Sequence, residues 1–347
     1  MSIPTDSPKE NHIKTSKMVI IFNMYFSIVI PVYNGEKTIS KALTSVANQK
    51  IRNFEVIVID DGSTDSTLNE AQNFVTNHPD LDITIISNIN RGRSVSRNIG
   101  VIAAKGDFIC FLDADDEFKE DHLSEFSKAI SSYPEIGFFF ADGETHRQDD
   151  SWEKFSGFLD RLMQRGDCWD VEGDYVLFND SFPNTLALGS LIPMCSTAIK
   201  RDVLILSGLF NPSFSVGEDF ELWFRISLTN PMVAINKQLS NIYHHEDNTS
   251  NPKNSYRNTI KSLAVNRFIL ESNPTLNSDL VQIFNQKISK QLSSLLYYAS
   301  YISPTEVLMV ISEQPVVKYG HSVFSLKQLI KSILKTIFKR KLPQTQY

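Results

Sequence analysis

The chain has 347 residues, of which 41% are hydrophobic and 21% charged, and its formal net charge is −6. This composition is typical of a globular protein and excludes a largely disordered chain. Because proteins that coat nucleic acid usually carry a strong basic excess, the acidic balance argues against a nucleic-acid partner. The length predicts a core of about 200 to 230 residues with a smaller appendage.

The amino-terminal end is predicted to be a disordered leader at 1–24, with Met1, Met18 or Met24 as the start of the protein. The apolar run 18–32 is too short and too polar to span a bilayer. The three cysteines are scattered without CxxC spacing, which is typical of reduced packing residues inside the cell. We therefore expect a cytoplasmic protein.

Four apolar runs rich in β-branched residues predict strands. They are residues 26–31, 54–60, 82–87 and 107–113. Helical spacing of apolar residues predicts helices over 38–49 and 67–75, the second capped by Ser63, Thr64 or Asp65. Buried strands that alternate with helices predict an α/β fold with a doubly wound, mostly parallel sheet.

Ligands of such a sheet bind beyond the carboxyl ends of its strands, so the residues after each strand are of interest. Three of these segments are unusually polar. They are residues 32–35, 61–65 and 113–116. The patterns GxGxxG and GxxxxGK[ST] do not occur in the sequence, which argues against a dinucleotide dehydrogenase and a P-loop NTPase.

Asp113, Asp115 and Asp116 stand at the tip of the fourth predicted strand. Like charges clustered there cost stability unless a cation compensates them. Carboxylate oxygens suit Mg²⁺ or Mn²⁺, which would also hold a diphosphate. The alternative is a solvated acidic turn, and the D-x-D pattern alone leaves both interpretations open.

Three longer strings occur in order along the same part of the chain. They are PVYNGEKTISKALTSVANQ, VIVIDDGSTDST and NRGRSVSRNIGVIAAKGDFICFLDADD. Together they resemble the family 2 glycosyltransferases, over a stretch from about Phe26 to Ser250. The resemblance implies the GT-A fold, a Rossmann-like form of the predicted sheet, and an inverting enzyme that uses a nucleotide sugar.

The resemblance implies a nucleotide site at the ends of the first strands. Its candidate residues are Pro31, Tyr33, Asn34, Asp61, Arg91, Arg93, Asp113 and Asp115. Tyr33 offers a ring on which a base could stack, unless it is simply a half-buried aromatic, and Asp61 could accept the N–H of a uracil. Arg91 or Arg93, in a glycine-containing turn, could reach the base or phosphates as a forked donor; otherwise it is an exposed basic residue.

The resemblance further implies that Asp113 contacts the ribose and that Asp115 coordinates a Mn²⁺ or Mg²⁺ ion that bridges the diphosphate. Such a metal acts as a Lewis acid on the departing diphosphate. Of the adjacent His244 and His245, His244 is preferred by position as a further metal ligand or phosphate contact. The alternative for either histidine is a polar surface position.

The segment GEDFELWFR, from Gly217 to Arg225, matches the family's ED motif on the acceptor side. Asp219 is the candidate catalytic base, which removes the acceptor hydroxyl proton during attack on the anomeric carbon and gives inversion in one displacement. Glu218 is expected to orient or support it. The alternative is a purely structural interaction of carboxylates with a helix amino terminus.

Processive members of the family carry a QxxRW sequence and several membrane spans, and neither is found here. We therefore expect transfer of one sugar per encounter. The donor is expected to be UDP-linked, with a hexose or an N-acetylated hexosamine left open. Residues 142–194 match no motif and are expected to shape the acceptor site.

A boundary is predicted near residue 250, between a glycosyltransferase domain at 25–250 and a helical region at 251–347. Helical patterns in that region cover residues 262–270 and 280–298.

The last thirty residues contain basic but no acidic side chains, and apolar residues recur there at helical spacing. They predict a basic amphipathic helix that could make peripheral contact with the inner face of the membrane through 323–341. A glycan or lipid-linked glycan of surface polysaccharide synthesis would then be a natural acceptor. The alternative is a helix packed on the domain with a solvated lysine face.

Two rival functions are considered. A catalytically silent sugar-nucleotide or glycan-binding module would keep the fold, but it has no physical need to retain carboxylates at Asp113, Asp115, Glu218 and Asp219. A metal-dependent nucleotidyltransferase would want a glycine-rich, lysine-containing phosphate loop after the first strand, and VYNGEKT is a poor one.

Overall fold

The computed structural model of the protein describes residues 24–146, 151–154, 168–178, 180–189, 192–243, 255–313, 327–328 and 330–332. Three predicted features lie wholly or mostly outside these residues: the leader at 1–24, the pair His244 and His245, and the basic helix at 323–341. The strands and helices below are numbered along the described residues.

The amino-terminal part alternates strands and helices, as predicted. Its elements are β1 (Phe26–Val32), α1 (Ile39–Ala47), β2 (Phe54–Asp60), α2 (Thr67–Asn77), β3 (Ile83–Ser87), α3 (Arg93–Ala103) and β4 (Phe108–Phe111). β1, β2 and β4 are buried along their whole length and are largely apolar on both faces, as is typical of parallel strands covered on both sides. Of the three candidate caps of α2, Asp65 bonds its first turn, accepting from Thr67 N–H at 3.0 Å.

The other described elements follow β4 along the chain. They are β5 (Glu117–Phe118), α4 (His122–Ser132), β6 (Phe138–His146), β7 (Trp152–Lys154), β8 (Cys168–Glu172), β9 (Tyr175–Phe178), α5 (Phe182–Ala187), β10 (Thr197–Lys200), α6 (Arg201–Leu206), α7 (Glu218–Ser227), β11 (Met232–Tyr243), α8 (Ser255–Ser272), α9 (Ser278–Ile302) and α10 (Pro304–Glu313). The helices predicted at 262–270 and 280–298 lie within α8 and α9. No helix in the described ranges is long and apolar enough to cross a membrane.

All the described strands belong to one mixed sheet, in the order β3-β2-β1-β4-β10-β6-β11-β9-β8, with β5 paired to β11 and β7 paired to β6. β3, β2, β1 and β4 run parallel to one another. β10 is antiparallel to both of its neighbours, and β6 and β11 are parallel. The predicted α/β class, with a largely parallel sheet, flanking helices and carboxyl-terminal helices, is confirmed.

Two hydrophobic clusters cover the two faces of the sheet. Val29 and Ile57 belong to the cluster that includes residues of α3 and α7, whereas their neighbours Ile28 and Val56 belong to the cluster that includes residues of α1 and α4. This alternation follows from the period of two along a strand. Because β1 pairs in parallel with both β2 and β4, the carboxyl ends of these strands and the polar loops after them meet at one edge.

The carboxyl-terminal helices pack on the sheet domain as well as on one another. Val265 of α8 and Phe284 of α9 are fully buried in the same cluster as the sheet residues Phe111 and Phe138. A third cluster joins α8, α9 and α10 through buried leucines and valines. The predicted boundary near residue 250 stays a prediction, but the helices beyond it contribute directly to the environment of the site.

Candidate functional site

The loops after β1 and β2 are joined by hydrogen bonds. Asn34 has a positive φ of 51°, and its Oδ1 accepts from Thr64 N–H at 2.8 Å. Its own N–H donates to Ser63 Oγ at 2.9 Å. Asn34 therefore fixes the position of one loop against the other. Tyr33 next to it is 51% exposed at the rim, whereas Pro31 is buried within β1.

Asp61 holds the turn that leads into α3. Its Oδ1 accepts from Arg91 N–H at 3.0 Å, and its Oδ2 accepts from Gly92 N–H at 2.8 Å. Gly62 is required beside it, because its φ is +77° and a Cβ would lie 2.9 Å from Asn90 N. Asp61 is 4% exposed, and its carboxylate already accepts two backbone hydrogen bonds. A contact between Asp61 and uracil would therefore need the remaining lone pairs of the carboxylate.

Arg97 joins the two acidic motifs. Its Nη2 donates to Asp113 Oδ1 at 2.6 Å, and its Nη1 donates to Glu218 Oε1 at 2.9 Å. The residue is 1% exposed. Burial opposes its positive charge, but Asp113 and Glu218 more than offset that and raise the pKa of Arg97. The D-x-D and ED motifs, distant in sequence, are thus held against one guanidinium.

The role of Arg97 was missed by sequence reasoning, which considered only Arg91 and Arg93. Both of those side chains are exposed, at the turn and the first residue of α3. A signal was present, since Arg97 follows Arg93 by one helical turn and shares its face of α3. The sequence alone does not show which face of α3 is buried against the loop after β4.

The three aspartates of the acidic loop have different environments. Arg97 and Arg93 hold the pKa of Asp113 below its usual value despite burial. Asp116 is 8% exposed and accepts from Tyr243 N–H at 3.1 Å. Burial, followed by the charges of Asp115 and Asp113, raises the pKa of Asp116 well above normal. Asp113 is therefore bonded to Arg97 and Asp116 to the end of β11, and Asp115, between them in the sequence, is half-buried.

The acidic loop is tied to the end of β11. β5 pairs antiparallel with Ser240 and Asn241 of that strand. Tyr243 Oη donates to Glu117 Oε2 at 3.1 Å, and Lys41 Nζ lies 2.7 Å from Glu117 Oε1. His244, the next residue in the sequence, lies outside the described residues.

Asp219 stands in the first turn of α7, beside the buried Glu218. Its Oδ1 accepts from Phe220 N–H at 2.7 Å. Burial, and after it the charge of Glu218, raises the pKa of Asp219 to about 6, whereas Phe220 N–H and Arg97 act in the opposite direction. A carboxylate with such a pKa is suited to accept a proton near neutral pH.

The described residues do not themselves complete a metal site, because no group of three or more His, Cys, Asp or Glu side chains among them could hold a metal ion. Asp115, the half-buried carboxylate of the acidic loop, could contribute one ligand to such an ion. Mg²⁺ commonly binds through one or two carboxylates together with substrate phosphates. A single carboxylate from this loop fits an ion that arrives bound to a diphosphate.

A family model described as "Glycosyl transferase family 2" matches residues 27–182. An uncharacterized glycosyltransferase of Haemophilus influenzae is 30% identical over 345 residues, covering 90% of this chain and 96% of that protein. The chondroitin synthase of Escherichia coli is 29% identical over 228 residues, covering 65% of this chain but only 29% of the synthase. The chain thus spans one relative almost completely and under a third of the other.

Solved structures show the same fold at low sequence identity. Staphylococcus aureus TarS 1–349 in complex with UDP-GlcNAc aligns with a TM-score of 0.58 at 16% identity, covering 93% of this chain and 94% of that one. The mannosyltransferase PcManGT from Pyrobaculum calidifontis, in complex with GDP-Man and Mn²⁺, aligns with a TM-score of 0.56 at 17% identity, covering 92% and 89%. Together with the family match and the Haemophilus relative, these similarities lead to one conclusion: the chain belongs to glycosyl transferase family 2.

Proposed function

We propose that the protein is an inverting, non-processive glycosyltransferase that moves one sugar from a UDP-linked donor to a glycan or lipid-linked glycan acceptor in surface polysaccharide synthesis. The observation that carries the proposal is the Arg97 bridge, which places Asp113 of the donor motif and Glu218 of the acceptor motif on one side chain. A base at Asp219 then stands beside the donor loop.

In the proposed reaction, Asp219 accepts the proton of an acceptor hydroxyl while that oxygen attacks the anomeric carbon. The new glycosidic bond forms as the bond from the anomeric carbon to the diphosphate oxygen breaks, and the diphosphate leaves with its charge. Attack from the face opposite the leaving group inverts the configuration. Glu218, held by Arg97, keeps Asp219 oriented and helps to raise its pKa.

A Mn²⁺ or Mg²⁺ ion, held by Asp115 and the donor phosphates, would supply Lewis-acid stabilisation of the diphosphate. His244 is proposed as a further ligand or phosphate contact. Asp113 is proposed to contact the ribose, with one oxygen occupied by Arg97. Tyr33 and Asp61, together with Arg91 or Arg93, are proposed to contact the base or phosphates.

The preference for a UDP-linked hexose or N-acetylhexosamine is supported by the UDP-GlcNAc and UDP complexes of TarS, which has the same fold. A GDP-linked donor is the competing hypothesis, because PcManGT, which also has this fold, was solved in complex with GDP-Man. The pKa of Asp219, raised to about 6 beside the donor loop, argues against a catalytically silent module.

The first test is calorimetric titration of the full chain with UDP and with GDP, with and without Mn²⁺. We expect UDP to bind in a metal-dependent manner and Asp115→Ala to abolish that binding, because the variant removes the carboxylate offered to the ion. Asp202→Ala, which removes an exposed acid on α6, is the control and should bind UDP as the parent does. Binding of GDP but not UDP would contradict the donor assignment, and binding of neither would favour the silent module.

The proposed location is the cytoplasm, with segment 323–341 resting on the anionic inner face of the membrane. Deletion of residues 323–347 is expected to move the protein from the membrane fraction to the soluble fraction. An unchanged distribution would show that this segment does not carry membrane contact.

A further inference from the structure

α8 brings a basic face to the amino terminus of α7. The α7 cap residue is Gly217, and a Cβ built there would lie 3.6 Å from Val265 Cγ2 of α8. Residues spaced by four share a face of a helix. Lys261 and Arg257 therefore lie one and two turns before Val265 on the face that meets the Glu218–Asp219 turn.

The same helix also meets the start of α3. The ring of Phe268 in α8 lies 5.2 Å from the ring of Phe214, in an edge-on arrangement. The carbonyl of Phe214 accepts from Ser94 Oγ at 3.0 Å. Ser94 follows Arg93 at the beginning of α3, so the amino termini of α3 and α7 and the basic face of α8 converge on one place.

The pKa of Lys261 reflects the charges that meet at this place. Burial lowers the pKa of Lys261. The charges of Arg257 and Arg93 lower this pKa further, whereas the charge of Glu218 raises it. Arg93 also helps to lower the pKa of Asp113. Lys261 is thus close enough to Arg257, Arg93 and Glu218 for their charges to act on it. Like charges brought together in this way repel one another, and a bound anion would reduce that repulsion.

We propose that Arg93, Arg257 and Lys261 form a phosphate site that receives a phosphate group of the acceptor, which leaves Arg91 as the arginine that contacts the nucleotide. Two arginine forks and a lysine point charge match the geometry and charge of a phosphate dianion better than those of a single carboxylate. Two of the three side chains come from α8, on the Glu218–Asp219 side of the site, which places the anion with the acceptor rather than with the nucleotide. The assignment to an acceptor rests on the proposed function, whereas the anion site itself does not.

The test uses inorganic phosphate as the probe and the full chain as the protein. Phosphate binding is measured by calorimetry in Mg²⁺ buffer, with and without saturating UDP. Lys261→Met and Arg257→Met each remove one cation, and Lys290→Met, an exposed lysine of α9, is the matched control. Loss of one charge-assisted hydrogen bond is expected to weaken phosphate binding about tenfold, and the control should leave it unchanged.

The arms of the test separate the sources of the phosphate. Phosphate that binds equally well to the UDP-saturated protein, and about tenfold more weakly to Lys261→Met, supports an acceptor site. Phosphate that UDP displaces would overturn the acceptor assignment and give the cations to the donor diphosphate. Equal binding to the parent and both α8 variants, or no binding to the parent, would overturn the site altogether. If UDP does not bind but the α8 variants still lose phosphate, the anion site stands and the proposed function fails.

Discussion

At the scale of single residues, the guanidinium of Arg97 joins the D-x-D and ED motifs, because it donates to both Asp113 and Glu218. A buried ion pair adds little net stability when it is complete, because desolvation offsets the attraction. Removal of one partner is different, since it leaves the others buried without compensation. The residue is therefore a sensitive point for both stability and function.

Arg97→Met is expected to lower the free energy of unfolding by about 3 to 5 kcal/mol, because Glu218 would stay buried without its counter-charge. Arg91→Met is the control, since that side chain is exposed, and its effect should stay within about 0.5 kcal/mol. Urea denaturation measures both. Equal stability of the two variants would contradict the assignment of Arg97 as the bridge.

Asp219→Asn is expected to reduce turnover of a UDP-sugar by about 10² to 10⁴-fold, because the amide cannot accept the acceptor proton. The parent's turnover should fall as the pH drops through about 6, where Asp219 becomes protonated. The residual activity of the variant should lack that acidic limb. Rate measurements between pH 5 and pH 8 check both points, and a variant that keeps the parent's pH profile would remove Asp219 from the role of base.

At the scale of secondary-structure elements, α4 is fixed to the sheet by a buried histidine. His122 is completely buried, and its ring lies 3.6 Å from that of Phe118 in a stacked arrangement. With Nδ1 2.9 Å from Leu239 O, the ring donates to that carbonyl when Nδ1 carries the proton. Burial lowers the pKa of His122 to about 3. The neutral imidazole is thus part of the contact between α4 and β11.

The folded protein should lose stability as the pH falls below about 6.5, because the unfolded chain then binds a proton that buried His122 does not. The loss should continue down to about pH 3 and reach a few kcal/mol. His122→Gln removes this linkage, so its stability should depend less on pH between 6 and 4. Urea denaturation of both proteins across that range tests the expectation, and parallel pH curves would contradict it.

At the scale of the whole molecule, the sequence predicted the first half of the fold well because its strands are apolar on both faces. β2 occupies the predicted residues 54–60, and β1 extends one residue beyond the predicted 26–31. The polar loops that follow these strands meet at one edge of the sheet, as the parallel arrangement requires.

The contribution of distant helices to the site was less predictable. Sequence patterns showed that α8 is helical but not that Val265 meets Gly217, because that contact depends on how the helix packs across the sheet. Arg97 was missed for the same reason, since only tertiary packing shows which face of α3 is buried. The roles of the individual site residues stay predictions that binding and kinetics must test.

We propose that a UDP-linked sugar is transferred with inversion at a site containing Asp219. The most direct measurement follows wild-type protein by proton NMR with UDP-glucose, UDP-galactose and their N-acetylated amino forms, in Mn²⁺, and records the anomer of the first sugar released to water. One of these α-linked donors should yield the β-anomer first with the wild-type protein, and Asp219→Asn should not yield it. Release of the α-anomer would contradict inversion, and failure to turn over any of the four donors would contradict the UDP-sugar assignment.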